Sequence, residues 1–368
     1  MTRAKRILAI TGLIVALLLG SLALVLSHDS PCGSPVAVPE GKTAMQAIVY
    51  RCYGSPSVLE LEAIEKPALA DHQVLVKVRA AAVNPLDWHY MRGSPYLMRM
   101  GTGLGAPTET RLGVDFAGTV EAVGKSVTRF KPGDAVFGGR TGALGEYVTV
   151  REAGALVLKP DNVTFEEAAA VPIAAITALQ ALRDKGHIKP GHKVLINGAS
   201  GGVGTFAIQI AKSFGAEVTG VCSTRNVELV RSLGADHVID YQQQNFTQGA
   251  QRYDLILDNV SNHSLSEIRR VLEPTGTLVM IGGSSKDPWL GPLMQPLKAA
   301  LLSPFVSEQL VFMLAELNQA DLNTLSKLMQ AGKVKPVIDR RYTLSEVPAA
   351  IRYLEEGHAR GKVVVNLE

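Results

Sequence analysis

The sequence predicts an α/β protein: a doubly wound parallel sheet, preceded by a compact β-rich unit and by an apolar N-terminal helix. Three observations carry this expectation. In His192–Gly204, HKVLINGASGGVG, the apolar run Val194-Leu195-Ile196 turns through small residues into a helix face. Short apolar runs and helical stretches then alternate for the next ninety residues or so, the pattern of a sheet with helical crossovers. At the other end, Ile7–Leu26 is a run of 20 residues without one charge, long enough to cross a bilayer as a helix.

From the N-terminus, Arg3, Lys5 and Arg6 precede the apolar run, and together they equal the whole net charge of +3. The rest of the chain is near neutral, which argues against nucleic acid as a partner. Ser27-His28-Asp29 is a poor cleavage site and Ser30-Pro31-Cys32 is no lipoprotein sequence, so the run reads as an uncleaved single-pass membrane anchor rather than a signal peptide. Basic residues before the span and none immediately after it favour a cytoplasmic N-terminus with the body on the far side, but which side the body faces stays open. Residues His28–Thr43, with Pro31, Gly33, Pro35 and Pro39, read as a linker. The three cysteines, Cys32, Cys52 and Cys222, suggest neither a pairing framework nor a metal spacing.

The β-rich unit is expected from Gln46–Tyr50, Gln73–Ala80, Gly118–Val123, Ala135–Phe137 and Glu146–Val150, with Phe130–Asp134 as a turn. Phe165–Leu182 is a helical region interrupted by Pro172, with Glu166 and Glu167 in its first turn matching the helix dipole. Pro190-Gly191 then leads into the glycine-rich stretch. Val203, Phe206, Ala207, Ile210, Ala211 and Phe214 form one helix face, and Gly215 stands where that helix would stop. Strand, turn and helix in this order gather backbone N–H groups and the positive helix end at one point, which suits a pyrophosphate. Ala199-x-Gly201-x-x-Gly204 is the dinucleotide fingerprint with alanine for its first glycine.

The same letters, Gly198-x-Ser200-x-Gly202, also match a nucleophile elbow, for which Asp258 and His263 would have to supply the acid and the base. The residues beyond Gly215 favour the dinucleotide reading. Glu217–Ser223 reads as a second strand, Asn226–Leu233 as a helix ended by Gly234, and His237–Tyr241 as a third strand. At Ser223, where an NAD enzyme would carry Asp or Glu, there is no acid, and Arg225 stands two residues on. Tyr253–Asn259 and Gly276–Gly283 add strands around a helix at His263–Leu272. Within Ser284–Leu317, Trp289, Leu290, Pro292, Leu293, Met294, Pro296 and Leu297 crowd together, and two readings stay open: an irregular helix on the core, or a lid over an apolar substrate. Ala320–Gln330 is a helix ended by Gly332. Val334–Ile338 and Lys362–Asn366 are strands flanking a helix at Glu346–Glu356, and they can return to the β-rich unit.

Val83-Asn84-Pro85-Leu86-Asp87, Gly113-Val114-Asp115-Phe116-Ala117-Gly118, Val171-Pro172 with Thr177-Ala178, Asn197–Gly204, Leu233-Gly234-Ala235-Asp236 and Gly361-Lys362-Val363-Val364 carry a resemblance. From about Met45 to Glu368 the chain resembles a medium-chain dehydrogenase/reductase of the zinc-free quinone oxidoreductase branch, near the reticulon-interacting-protein-like reductases. The resemblance implies a GroES-like catalytic domain over 45–170 and 318–368, and a Rossmann NADPH-binding domain over 171–317. Ahead of these lie the anchor at 1–27 and the linker at 28–44.

Zinc-dependent relatives hold their metal at positions that align with Asn84, Val114 and Ile173. One amide and two aliphatic side chains make no tetrahedral zinc site. The expected activity is therefore NADPH-dependent reduction of a quinone or an α,β-unsaturated carbonyl, not alcohol oxidation. The alternative is an NADPH-binding interaction or structural protein with little turnover. Ser200, Gly201, Gly202 and Val203 are expected at the pyrophosphate, and Ser223, Arg225 and Tyr241 at the adenosine 2′-phosphate. Thr177, Asn259 and Gly282 belong at the nicotinamide end, and Lys362 is expected to reach the cofactor. Asn84 is expected on the active-site floor as the catalytic residue, or as the cap of the following turn. Asp87 and Asp115 are expected to be structural. No His, Lys or Cys is expected among the groups lining the substrate pocket, and a homodimer is compatible with the family.

Overall fold

The computed structural model describes residues 3–282, 287–289 and 291–367. It opens with α1 (Arg3–Ser27), in which an 18-residue window reaches a mean hydropathy of 2.6, so the helix is long and apolar enough to cross a membrane. Nearly all of α1 is exposed, but Leu26 in its last turn is buried against the body.

The body follows in chain order as β1 (Ala44–Val49), β2 (Glu60–Glu65), β3 (Gln73–Val83), α2 (Pro85–Arg92), α3 (Arg99–Thr102), β4 (Asp115–Val123), β5 (Ala135–Gly139), β6 (Tyr147–Arg151), β7 (Leu156–Leu158), α4 (Phe165–Ala169) and α5 (Pro172–Gln180). Next come β8 (Lys193–Asn197), α6 (Gly202–Ser213), β9 (Glu217–Cys222), α7 (Val227–Ser232), β10 (His237–Asp240), β11 (Tyr253–Asp258), α8 (Leu265–Arg269), β12 (Leu272–Met280), α9 (Gly291–Leu302) and β13 (Gln309–Phe312). The chain ends with α10 (Gln319–Gln330), β14 (Ile338–Thr343), α11 (Val347–Glu355) and β15 (Lys362–Asn366).

Among the described residues, six strands form a parallel sheet in the order β10-β9-β8-β11-β12-β13. That order reverses beside β8, and dinucleotides bind at such a reversal, outside the carboxyl ends of the strands. A second sheet runs β14-β15-β3-β4-β5-β7, with β6 also pairing β3, while β1 and β2 form a separate hairpin. β15 pairs antiparallel with β3, so the end of the chain does return to the β-rich unit.

The two sheets share one core. Ala80, Ala82, Ala117 and Phe137 from the mixed sheet meet Ala168–Val171 and the alanine-rich α5, and the same cluster continues into Ile196, Phe206 and Ile210. Small side chains along α4 and α5 let backbone approach backbone between the sheets, where larger ones would hold them apart. The cluster built on Val74, Val76, Phe116 and Val363 fills the other side of the mixed sheet.

Several expectations change. Cys32 and Cys52 do pair: they form a disulfide with a Cα–Cα distance of 4.6 Å, leaving Cys222 as the buried free thiol. The linker reading missed this because residues 28–33 are strapped to the body. Ser30 N donates to Gly105 O at 2.8 Å, and the Arg99 guanidinium donates to Leu26 O at 3.0 Å and His28 O at 3.1 Å. The strand expected at Val334–Ile338 begins only at Ile338, because Val334 packs into the core ahead of Pro336. The helix at His263–Leu272 shortens to Leu265–Arg269, since Leu272 already pairs in β12. Within Ser284–Leu317 the structure has both a helix, α9, and an edge strand, β13; Ser284 and Leu290 lie outside the described residues.

Candidate active site

The glycine turn has the geometry its spacing requires. A Cβ on Gly204 would stand 2.2 Å from Gly198 O, so α6 can lie this close to the turn only with glycine there. Gly198 has φ +80°, a conformation that favours glycine. Gly201 caps α6, and a Cβ there would meet nothing closer than Gly198 O at 3.5 Å, so its surroundings leave room for a phosphate.

The nucleophile-elbow alternative fails on contacts. Ser200 Oγ accepts from Asn226 Nδ2 at 3.0 Å, whereas Asp258 accepts from Asn197 Nδ2 at 2.9 Å and from Ser261 N. His263 packs edge-on against Phe246.

Just beyond the carboxyl end of β9, Ser223 Oγ accepts from the same Asn226 amide at 3.1 Å, so Asn226 ties the glycine turn to the 223–225 loop. Sequence reasoning passed over Asn226, and no pattern in the sequence signals it. Arg225 extends outward and donates to His358 O at 3.0 Å, while Tyr241 is 53% exposed beside the end of β9, its N–H donating to Cys222 O. The acid at the end of β10, Asp240, accepts from Thr224 and from Gln242 N, and those bonds hold its carboxyl below the usual range.

Of the expected nicotinamide residues, Asn259 and Gly282 meet just beyond the ends of β11 and β12, while Thr177 lies in α5. Asn259 Nδ2 donates to Asn197 O at 2.9 Å, but its Oδ1 is buried without a partner. A buried acceptor left unmade is costly, and a bound donor such as a carboxamide NH₂ would satisfy it. A Cβ on Gly282 would stand 2.2 Å from Asn259 O, which explains a glycine there. Thr177 is buried in α5 and donates to Ile173 O at 2.7 Å, leaving its oxygen free to accept. A cradle of glycines and an orphaned buried acceptor fit a nicotinamide dinucleotide.

Between the two sheets lies a buried polar cluster. Asp115 Oδ2 accepts from Asn84 Nδ2 at 3.0 Å and from Lys362 Nζ at 3.3 Å, and Asp115 Oδ1 accepts from Ile173 N at 3.0 Å. Lys362 Nζ also donates to Asn84 Oδ1. Asn84 at the same time caps α2, its N–H donating to Asp87 Oδ2 at 2.7 Å, so its capping and site readings coexist. Burial pushes the Asp115 carboxyl up against the pull of Lys362 and the two donors, and it raises Asp87 from 3.8 to about 7.

Lys362, expected only to reach the cofactor, is a buried member of this cluster. Its stem passes 3.2 Å from the position of a Cβ on Gly202, and Gly361 N donates to Ser200 O at 2.9 Å. Strand β15 thereby bridges the glycine turn and the Asn84–Asp115 pair, and it places an ammonium against Asn84, one of the three positions (with Val114 and Ile173) where the resemblance puts the metal ligands of zinc-dependent relatives. Those positions carry an amide and two aliphatic groups, and no cluster of three His, Cys, Asp or Glu exists among the described residues. The donor set does not fit zinc.

The comparisons with known proteins agree with this architecture. Residues 70–161 match the alcohol dehydrogenase GroES-like domain, and residues 233–365 match a model described as zinc-binding dehydrogenase. The 2-methylene-furan-3-one reductase of Solanum lycopersicum is 36% identical over 88% of this chain and 79% of its own. The mitochondrial NAD(P)H oxidoreductase RTN4IP1 of Mus musculus is 35% identical over 88% of this chain and 90% of its own. The solved quinone oxidoreductase from Coxiella burnetii superposes with a TM-score of 0.78 at 31% identity, covering 89% of this chain and all of that one. On these findings the chain belongs to the medium-chain dehydrogenase/reductase family, in its quinone oxidoreductase branch.

Proposed function

We propose that the protein is a membrane-anchored, NADPH-dependent reductase of quinones or α,β-unsaturated carbonyls, working without zinc. The observation that carries this reading is Lys362, which joins the pyrophosphate turn to a buried donor cluster around Asn84. When bound, NADPH supplies the hydride. As hydride reaches an electrophilic carbon, negative charge builds on the conjugated oxygen and must meet a donor. The Asn84 amide, the Lys362 ammonium and backbone N–H groups are the donors near that point. They suffice for an acceptor already activated by conjugation, and they leave alcohol oxidation without the base it needs. Gly201, Gly202 and Val203 hold the pyrophosphate in this reading, with Ser200 lining the turn. Thr177, Asn259 and Gly282 hold the nicotinamide.

Two lines bear on which side of the membrane the body faces. Basic residues ahead of the span favour the far side, and the Cys32–Cys52 disulfide supports it, because disulfides persist in oxidising compartments. NADPH must then be supplied there.

Cofactor choice provides the experiment. The end of β9 carries Ser223 in place of a carboxylate, and Arg225 is the fork for a 2′-phosphate. Losing that charge-assisted bond removes roughly 1.5–3 kcal/mol, or about one to two powers of ten in affinity. Arg225→Ala is expected to raise KM for NADPH by that factor and leave NADH kinetics nearly unmoved. Equal use of both cofactors by the unmutated protein would contradict this assignment.

A further inference from the structure

We propose that the mouth of the site lies against the bilayer, and that the substrate is a quinone or enone dissolved in the membrane rather than in water. This rests on the anchored-reductase reading above and adds the source of the substrate. The anchor does not lead into a loose tether. Arg99, 2% exposed, holds the carbonyls of Leu26 and His28, pairs with Asp29 at 2.9 Å and lies between the rings of Tyr53 and Tyr96. Leu26 is itself buried by the body, and Tyr96–Met98 touches the end of α1. With α1 across a bilayer, its last turn stands at the interface, and the loop that holds it must stand there too.

That loop is one short helix away from the site: Asn84 opens α2, and α2 ends at Gly93, just ahead of Tyr96. Pro288 and Trp289 pack on the same loop, Tyr96 N donating to Pro288 O at 2.7 Å and the Tyr96 and Trp289 rings lying edge-on at 4.8 Å. Tyrosine and tryptophan prefer the membrane–water boundary, where an apolar ring can sit with a polar edge in the headgroups. A few residues on from Tyr96, Met100 and Leu104 are 69% and 58% exposed, an uneconomical arrangement in water and a suitable one at a lipid surface. The occupant of this patch is the bilayer to which the adjoining helix is fixed.

The test uses the full-length protein in phosphatidylcholine vesicles, with NADPH outside. A decyl-chain benzoquinone reports uptake from the membrane, and unsubstituted benzoquinone reports uptake from water. The double variant Met100→Asp/Leu104→Asp is expected to raise the apparent KM for the decyl quinone at least about fivefold while benzoquinone kinetics stay unchanged. Equal kinetics of variant and parent on the decyl quinone, or an equal loss on both quinones, would overturn the proposal.

Placement is read independently of activity by quenching with lipids brominated near the headgroup, comparing the parent with Trp289→Phe. A Trp289 component that is quenched supports the placement. An unquenched one overturns it, as does a second copy of the chain found covering the patch. Inactivity on both quinones with Trp289 quenched would instead reject the reductase reading, and release of the protein by alkaline carbonate would reject the anchor.

Discussion

Lys362→Met is expected to be the most damaging single change in the body of the protein. Asp115 is fully buried, and Lys362, 3% exposed, is the cation that faces it. Removing one member of a buried ion pair strands the other, at a cost of about 3–5 kcal/mol. A urea titration should therefore show a large drop in the unfolding midpoint at neutral pH, with NADPH turnover lost as well. Lowering the pH should shrink the difference. Burial already raises the Asp115 carboxyl, and without the ammonium it rises further, so the folded variant binds a proton that the unfolded chain releases. Where the folded state binds more protons, stability falls as pH rises from the ordinary carboxyl range through the folded pKa. Asp87, raised to about 7, has the same sign in the unmutated protein, whose stability should fall on its account between about pH 4 and 7. Adding Asp115→Asn to Lys362→Met should recover part of the loss. A single variant within about 1 kcal/mol of the parent would contradict the pairing.

Arg99→Ala is expected to come second and to act at the junction of anchor and body. The guanidinium donates to Gly93 O at 2.8 Å, Leu26 O at 3.0 Å, His28 O at 3.1 Å and Arg92 O at 3.3 Å. Each buried carbonyl left unpaired costs about 1–3 kcal/mol, so the expected loss is roughly 3–5 kcal/mol even if some of them find water. The pair with Asp29 adds little, because Asp29 is more than half exposed. Arg99→Lys should rescue poorly, since a single ammonium cannot span carbonyls arranged around a planar fork. Limited proteolysis should then cut residues 28–44 readily in the alanine variant. Cleavage and unfolding like the parent's would show that the clamp does not hold the segment.

The parts of this fold that were legible in the sequence are those written in local chemistry. Val194–Ile196 followed by glycines, and the helix face from Val203 to Phe214, give strand, turn and helix wherever they occur. Gly204 needs only its own helix and turn to justify it. The parts that were not legible depend on residues far apart in the chain. Nothing local to Lys362 says that its ammonium meets Asn84 and Asp115, 278 and 247 residues away. Cys32 sits inside an apparent linker and Cys52 beyond it, and contacts from Arg99 and Gly105, far along the chain, bring that linker onto the body. Strand β13, Gln309–Phe312, is four residues at a sheet edge, too short for its alternation to stand out beside α9. Asn259 and Gly282 were placed by resemblance, and the structure adds a steric reason for the glycine and an orphaned oxygen on the asparagine.

Hydride transfer to a conjugated acceptor without a metal is the chemistry on which everything else here depends. Its most direct test is anaerobic NADPH consumption by the full-length protein over a panel of quinones and enones, with primary alcohols and NADP⁺ run in the reverse direction and chelator present throughout. Turnover is expected on at least one conjugated acceptor, undiminished by the chelator, with little or none on alcohols. Tight NADPH binding with no turnover on any acceptor, or an alcohol-oxidising rate comparable to the enone-reducing rate and abolished by chelation, would contradict it.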